Sequence, residues 1–403
     1  MSNIKNIISR SDFFKRLFLI GLSGTSIPTL FASAPKKDDE PANETASLTA
    51  LTKPYLQFPA PDAMTVMWVT NKQCLSWIEF SKSGTAETTE AVSENFGLKA
   101  YNKIHKIRLR NLEPGTEYSY RVCYKELVSI IPITFGEAIR SDEYSFKTQG
   151  ISDNEVSVLI MNDIHDRPET IPHLLGLNKE PYDFVCLNGD IMNHISSESQ
   201  IINHVINPCT ESFASNKPFV YIRGNHETRG LFARNLYDYL DTGEMPYYAF
   251  SRGPAFFVVM DSGEDKTDDH KEYFGLVCFD KYRERQAVWL EQQLKSEAAK
   301  KAKFRIALMH IPHYHSGDWH GTMHCRELFS PIFNKYKIDI FIAGHTHRYG
   351  IFEPSKDEHN FPVIIGGGPA DGKRTLIKLN VTDKNLYVKM IKDSGEIVGE
   401  YKI

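Results

Sequence analysis

Two textures of apolar and polar positions succeed one another along the chain. From residue 51 to about residue 150 the apolar positions form short β-branched and aromatic runs, among them Met64-Thr-Val-Met-Trp-Val-Thr70 and Leu75-Ser-Trp-Ile-Glu-Phe80. Polar turn residues divide them at the spacing of a β-sandwich. In Leu112-Glu-Pro-Gly-Thr-Glu-Tyr-Ser-Tyr-Arg-Val122 the Pro114-Gly115 pair turns the chain, and Tyr118, Tyr120 and Val122 then fall on one face. After residue 150, apolar runs alternate with helical stretches, as in a sheet with crossover helices. Residues 280–300, with Ala287, Leu290 and Leu294 about a turn apart, read as an amphipathic helix, and residues 326–335 as another. Residues 246–261 read as a hairpin extending a second sheet, and residues 361–403 as further strands. The expected organisation is an all-β domain over 51–150 and an α/β domain over 151–403.

Lys5, Arg10, Lys15 and Arg16 precede a mostly apolar stretch, 17–34, that ends in Ala32-Ser-Ala34. This order predicts an export signal over residues 1–34. A membrane anchor fits less well, because Ser23, Thr25, Ser26 and Pro28 interrupt the run. Residues 35–50 are polar and charged without an apolar period, and read as a flexible tether. The net charge of −4 offers no broad basic field, so a nucleic-acid polymer is not an expected partner. The six cysteines form no C-x-x-C pair, and disulfides stay open.

Five apolar runs of the second domain end alike. Val156-Ser-Val-Leu-Ile-Met161 leads to Asn162-Asp163-Ile-His165, and Phe184-Val-Cys-Leu187 to Asn-Gly-Asp190. Phe219-Val-Tyr-Ile222 leads to Arg-Gly224-Asn225-His226-Glu227, Phe304-Arg-Ile-Ala-Leu-Met309 to His310, and residues 338–343 to Gly344-His345-Thr-His347. Loops at the carboxyl ends of strands in such sheets converge on one platform. Asp163, His165, Asp190, Asn225, His310, His345 and His347 are therefore expected to meet. Imidazole and carboxylate without thiolate suit zinc, manganese, iron or nickel. Seven donors exceed one tetrahedral site, whereas two divalent ions sharing a carboxylate would use them all.

These motifs resemble the signature of the calcineurin-like metallophosphoesterases. The Tyr118 segment resembles the tyrosine corner of fibronectin type III-like sandwiches, and residues 51–150 resemble the domain that precedes the catalytic part of purple acid phosphatases. The resemblance implies an α/β fold, a two-sheet sandwich flanked by helices, preceded by an all-β fibronectin type III-like sandwich. It also implies that Asp163, His165, Asp190 and His347 bind one ion, and Asp190, Asn225, His310 and His345 the other. His226, beside Asn225, is placed to protonate a leaving group. His313, in the histidine-dense loop 311–324, resembles a leaving-group or substrate contact of related enzymes. Asn193, His194 and Arg229 are candidate substrate contacts, Arg229 through bidentate phosphate bonds.

Purple acid phosphatases place a colour-giving tyrosine three residues after the bridging aspartate, where this chain has Asn193, and they lack the histidine His165 would supply. The expectation is a colourless enzyme with two divalent ions. Serine/threonine phosphatases carry at that position an aspartate that orients the catalytic histidine; Asp166 is the candidate orienter here. The expected activity is hydrolysis of a small phosphorylated substrate by an exported enzyme. Monoesters lead, with diesters, nucleotides and pyrophosphates open. The competing reading is a surface-binding protein with a relic metal site, against which the intact donor set argues.

Overall fold

Alternating burial in the first domain organises around one strand, Ala63–Lys82, rather than the two expected. The polar stretch Asn71-Lys72-Gln73 is a register irregularity against Tyr101–Leu109, between Val69 and Cys74, and not a turn. The first half of this strand pairs with Tyr55–Ala60 and the second with Glu117–Lys125. Leu56, Val66, Trp68, Ile78, Ile107, Tyr120 and Phe146 form the core. The Tyr118 hydroxyl accepts the Glu113 N–H at 2.8 Å, closing the corner expected there. The computed structural model describes residues 46–356 and 358–403. The expected export signal and most of the tether lie outside the described residues.

The remainder builds two six-stranded sheets. The first runs in the order Phe219–Ile222, Phe184–Asn188, Glu155–Met161, Thr375–Thr382, Leu386–Lys392, Ile397–Lys402; its first three strands are parallel and the rest antiparallel. The second runs Tyr248–Arg252, Ala255–Val259, Phe304–Leu308, Ile340–Ala343, Val363–Ile365, Gly350–Phe352. The hairpin expected at 246–261 forms its edge. Strands buried on both faces explain the continuous apolar runs. Within Glu155–Met161, Val158 and Ile160 enter the core between the sheets, while Leu159 and Met161 enter an outer core. Helices Phe279–Leu294 and His320–Tyr336 cover the second sheet through Leu290, Phe329 and Phe333. The latter begins six residues earlier than expected, so His320 and His324 are helical.

Residues 48–403 form one compact unit. Tyr55, Met67 and Val69 of the first domain share a core with Leu159, Leu187 and Phe219 of the sheet. Polar contacts reinforce this seam: Tyr55 Oη donates to the Tyr239 carbonyl at 2.9 Å, Gln57 Nε2 to the Phe219 carbonyl at 3.0 Å, and Tyr120 Oη to the Ser215 carbonyl at 2.7 Å. Each of these side chains is fully or almost fully buried, so its polar end requires a partner. No cysteine pairs with another among the described residues. No helix among them is long and apolar enough to cross a membrane. Removal of the Tyr55 ring should open a cavity across the seam. Tyr55→Ala is expected to cost about 3–5 kcal/mol in urea unfolding, against under 1 kcal/mol for an independently folded pair of domains.

Candidate metal centre

The five strand ends do converge. His347 Nε2 lies 3.2 Å from Asp163 Oδ1 and 3.0 Å from His165 Nε2. His310 Nε2 lies 3.0 Å from Asp190 Oδ2, and His345 Nδ1 lies 3.0 Å from Asn225 Oδ1. The donor atoms fall into neighbouring groups, Asp163–His165–His347 and Asp190–His310–His345, each able to surround an ion. Asp163 Oδ1 and His310 Nε2 are buried without a hydrogen bond. Two imidazole nitrogens face one another at His165 and His347, an approach that a cation held by both rings would relieve. Orphaned buried donors and this nitrogen-oxygen set fit a pair of divalent ions. His310 gives Nδ1–H to the Asn188 carbonyl at 2.7 Å, which leaves Nε2 facing the cluster.

The loops that carry these donors are conformationally costly. Asp163, His165, Asp166, Asp190, His345 and His347 all have positive φ, between 51° and 71°. A non-glycine residue in that region costs ~1–3 kcal/mol and needs surrounding structure to hold it. Glu227 supplies much of that structure. Its buried carboxylate accepts the N–H groups of Asp190, Ile191, Met192 and Gly224 and the Tyr221 hydroxyl, at 2.6 to 3.1 Å. Glycine is required where these turns touch: a Cβ on Gly224 would lie 2.2 Å from Asp190 Oδ1, and one on Gly189 2.4 Å from His310 Nδ1.

His226 is oriented by a backbone group. Its Nδ1 is 3.1 Å from the Asn193 carbonyl, and Nε2 points toward Asp190 Oδ2 at 4.0 Å. Burial, and after it the Arg229 guanidinium, pushes its pKa down to about 4. Asp166, expected to orient His226, does not touch it. That carboxylate takes hydrogen bonds from Asn193 Nδ2, Gln200 and His204, and so fixes Asn193. Asn193 Oδ1 in turn meets His165 Nδ1 at 2.8 Å, so this side chain braces an imidazole instead of facing substrate. Arg229 commits Nε and Nη2 to Glu264 at 3.2 and 2.9 Å, leaving Nη1 against the His226 ring and no free fork for phosphate. His194 is exposed, its ring 6.4 Å from that of His226.

His313 stands apart from the site. It is fully buried, with its ring against Tyr314, Phe333, Phe341 and Phe361 on the helix-covered face of the second sheet. The expected contact with substrate is therefore corrected: this imidazole is core, and burial holds its pKa down to about 3. His315 and Trp319 of that stretch lie nearer the site. With Thr346, Arg348 and His345 they line a hollow of about 390 Å³. Asp265 was missed from the sequence; its Oδ2 lies 3.6 Å from His345 Nε2. It follows strand Ala255–Val259, so a sixth apolar run ending in acidic residues was visible.

Residues 156–349 match the calcineurin-like phosphoesterase family, and residues 51–148 match the purple acid phosphatase N-terminal domain. The chain thus carries a calcineurin-like metallophosphoesterase domain, that of a metal-dependent hydrolase of phosphoric esters, behind the leading domain of the purple acid phosphatases. Probable purple acid phosphatase 20 of Arabidopsis thaliana is 21% identical over 374 residues, spanning 86% of this chain and 81% of that one. Purple acid phosphatase of Glycine max is 25% identical over 355 residues, 80% of this chain and 69% of that one. The solved purple acid phosphatase PPD1 from yellow lupin seeds superposes with a TM-score of 0.65 at 17% identity, over 87% of this chain and 73% of its own. PhoD gives 0.63 at 13% identity over 88% of both. The structural likenesses establish the fold.

Glu227→Gln places an amide N–H among four backbone donors. It should cost about 1–3 kcal/mol of stability and weaken metal binding by about 10–100-fold; metal titration of the folded variant measures the latter. For His313, an unfolded histidine titrates near ~6.5, and the folded one refuses the proton until about 3. Stability is thus full above ~6.5 and is lost as pH falls toward the folded value. His313→Phe should keep turnover and gain on wild type by up to about 1.4 kcal/mol per pH unit below ~6. Denaturant midpoints at neutral and mildly acidic pH check this, and a tenfold loss of turnover would return His313 to the site.

Proposed function

We propose that the protein is an exported binuclear-metal phosphatase acting on small phosphomonoesters. The supporting observation is Asp190, whose Oδ2 lies 3.0 Å from His310 Nε2 and 3.8 Å from His165 Nε2, at the junction of the two donor groups. Asp163, His165, Asp190 and His347 would hold one ion, and Asp190, Asn225, His310 and His345 the other. Two divalent ions supply Lewis-acid charge against phosphate oxygens and lower the pKa of an attacking water. The chain's own part is positioning and proton transfer. Asn193 and Asp166 keep the His165 ring in place, and the Asn188 carbonyl does so for His310. His226, held at Nδ1, presents Nε2 to the departing oxygen. A bound phosphate brings the negative charge that favours its protonated form. The hollow beside His345 would receive the organic group of the ester. Export is supported by the basic residues ahead of the apolar stretch 17–34.

Chelation of the full chain should abolish hydrolysis of an aryl phosphate, and manganese or zinc should restore it. An aryl monoester should be cut faster than the bis-aryl diester, and a strong diester preference would overturn the substrate assignment. Asp190→Ala should lose both ions and activity. His226→Ala should keep both ions and slow turnover by about 10²–10⁴-fold; loss of an ion in that variant would make His226 a ligand. With Asn193 where a tyrosine would colour the centre, the iron-loaded protein should show no visible phenolate band.

A further inference from the structure

Three side chains away from the Asp190 cluster share its chemistry without sharing its loops. His320 and His324 lie one turn apart at the start of helix His320–Tyr336, on the same face. Asp280 lies in the first turn of helix Phe279–Leu294, which packs beside it. His320 Nε2 is 2.8 and 3.0 Å from the two Asp280 oxygens, and His324 Nδ1 is 3.2 Å from Asp280 Oδ1. The three ligand atoms lie within 4.8 Å of one another. Ligands about 2.1 Å from a tetrahedral ion stand roughly 3.4 Å apart, close to these spacings.

We propose that Asp280, His320 and His324 form a third site for a zinc-class divalent ion. Hydrogen bonding alone leaves the cluster incomplete, because His324 Nδ1 is buried and makes no hydrogen bond despite its nearness to the carboxylate. The carboxylate is already aimed: fully buried Arg283 donates Nη1 to Asp280 Oδ1 at 2.9 Å and Nε to the Ser262 carbonyl at 2.9 Å. A ligand held by such a partner is oriented before the ion arrives. Two imidazoles, one carboxylate and an exposed fourth side suit zinc, cobalt or nickel, where calcium and magnesium take oxygen cages. The ion would clamp one helix start to the other where Gly321 N–H bonds the Asp265 carbonyl at 2.7 Å. Asp265 faces His345, so the clamp would steady one wall of the metal centre.

The test counts zinc on the full chain equilibrated in a zinc buffer, by elemental analysis, with circular dichroism reporting the fold. Wild type should hold one ion per chain more than His320→Gln/His324→Gln, and zinc should raise its thermal midpoint further than it raises that of the variant. Hydrolytic activity should persist in the variant. Asp280→Asn should bind the extra ion about 10–100-fold more weakly. Equal counts in folded wild type and double variant overturn the proposal, whatever number the Asp190 cluster holds. If the double variant does not fold, unchanged zinc affinity in Asp280→Asn overturns it.

Discussion

A single buried carboxylate sets the terms for the rest of the site. Glu227 gathers four backbone N–H groups and a phenol into one small volume, tying the Asp190 turn to the Gly224 turn. Burial raises its pKa, with Asp190 adding to the rise, while the surrounding N–H groups oppose it. An ionised group there is tolerable because the donors meet it in place of water. The same donors are the groups a sharp, left-handed turn leaves without partners. One interaction thus satisfies the turn and holds the central ligand.

Rigidity then spreads outward through layers. Asp166 fixes Asn193, and Asn193 faces His165 with its side chain and His226 with its carbonyl. Arg229, tied to Glu264, lies against the other side of the His226 ring. The first domain contributes no side chain to this network, yet Tyr55, Met67 and Val69 complete the core behind the strands that deliver Asp163 and Asp190. Its effect on the centre is mechanical: it covers the outer face of the strands that deliver these ligands.

Much of this was legible in the sequence because strand ends repeat a simple rule. Five apolar runs followed by polar donors located every member of both donor groups, since a strand buried on both faces must end where the donors begin. What the sequence hid follows from geometry that periodicity does not encode. His313 has the composition of a site residue, but the turn after His310 sends its ring behind Phe341 into the helix-packed core. Asn193 and Arg229 have phosphate-binding chemistry, and their partners Asp166 and Glu264 are far from them in sequence. Residues 361–403 read as strands, with no sign that Val363–Ile365 joins one sheet and Thr375–Thr382 the other.

That last division bears on how the chain acquires its site. Glu155–Met161 pairs on one side with Phe184–Asn188, and on the other with Thr375–Thr382. A ribosome emitting this chain releases the Asp163 strand well before its second neighbour. The ladder stays half-open over that interval, as is usual where distant segments must find one another. The strand that presents Asp163 is therefore seated on both sides only after all seven donors have been made, by a partner that supplies none of them.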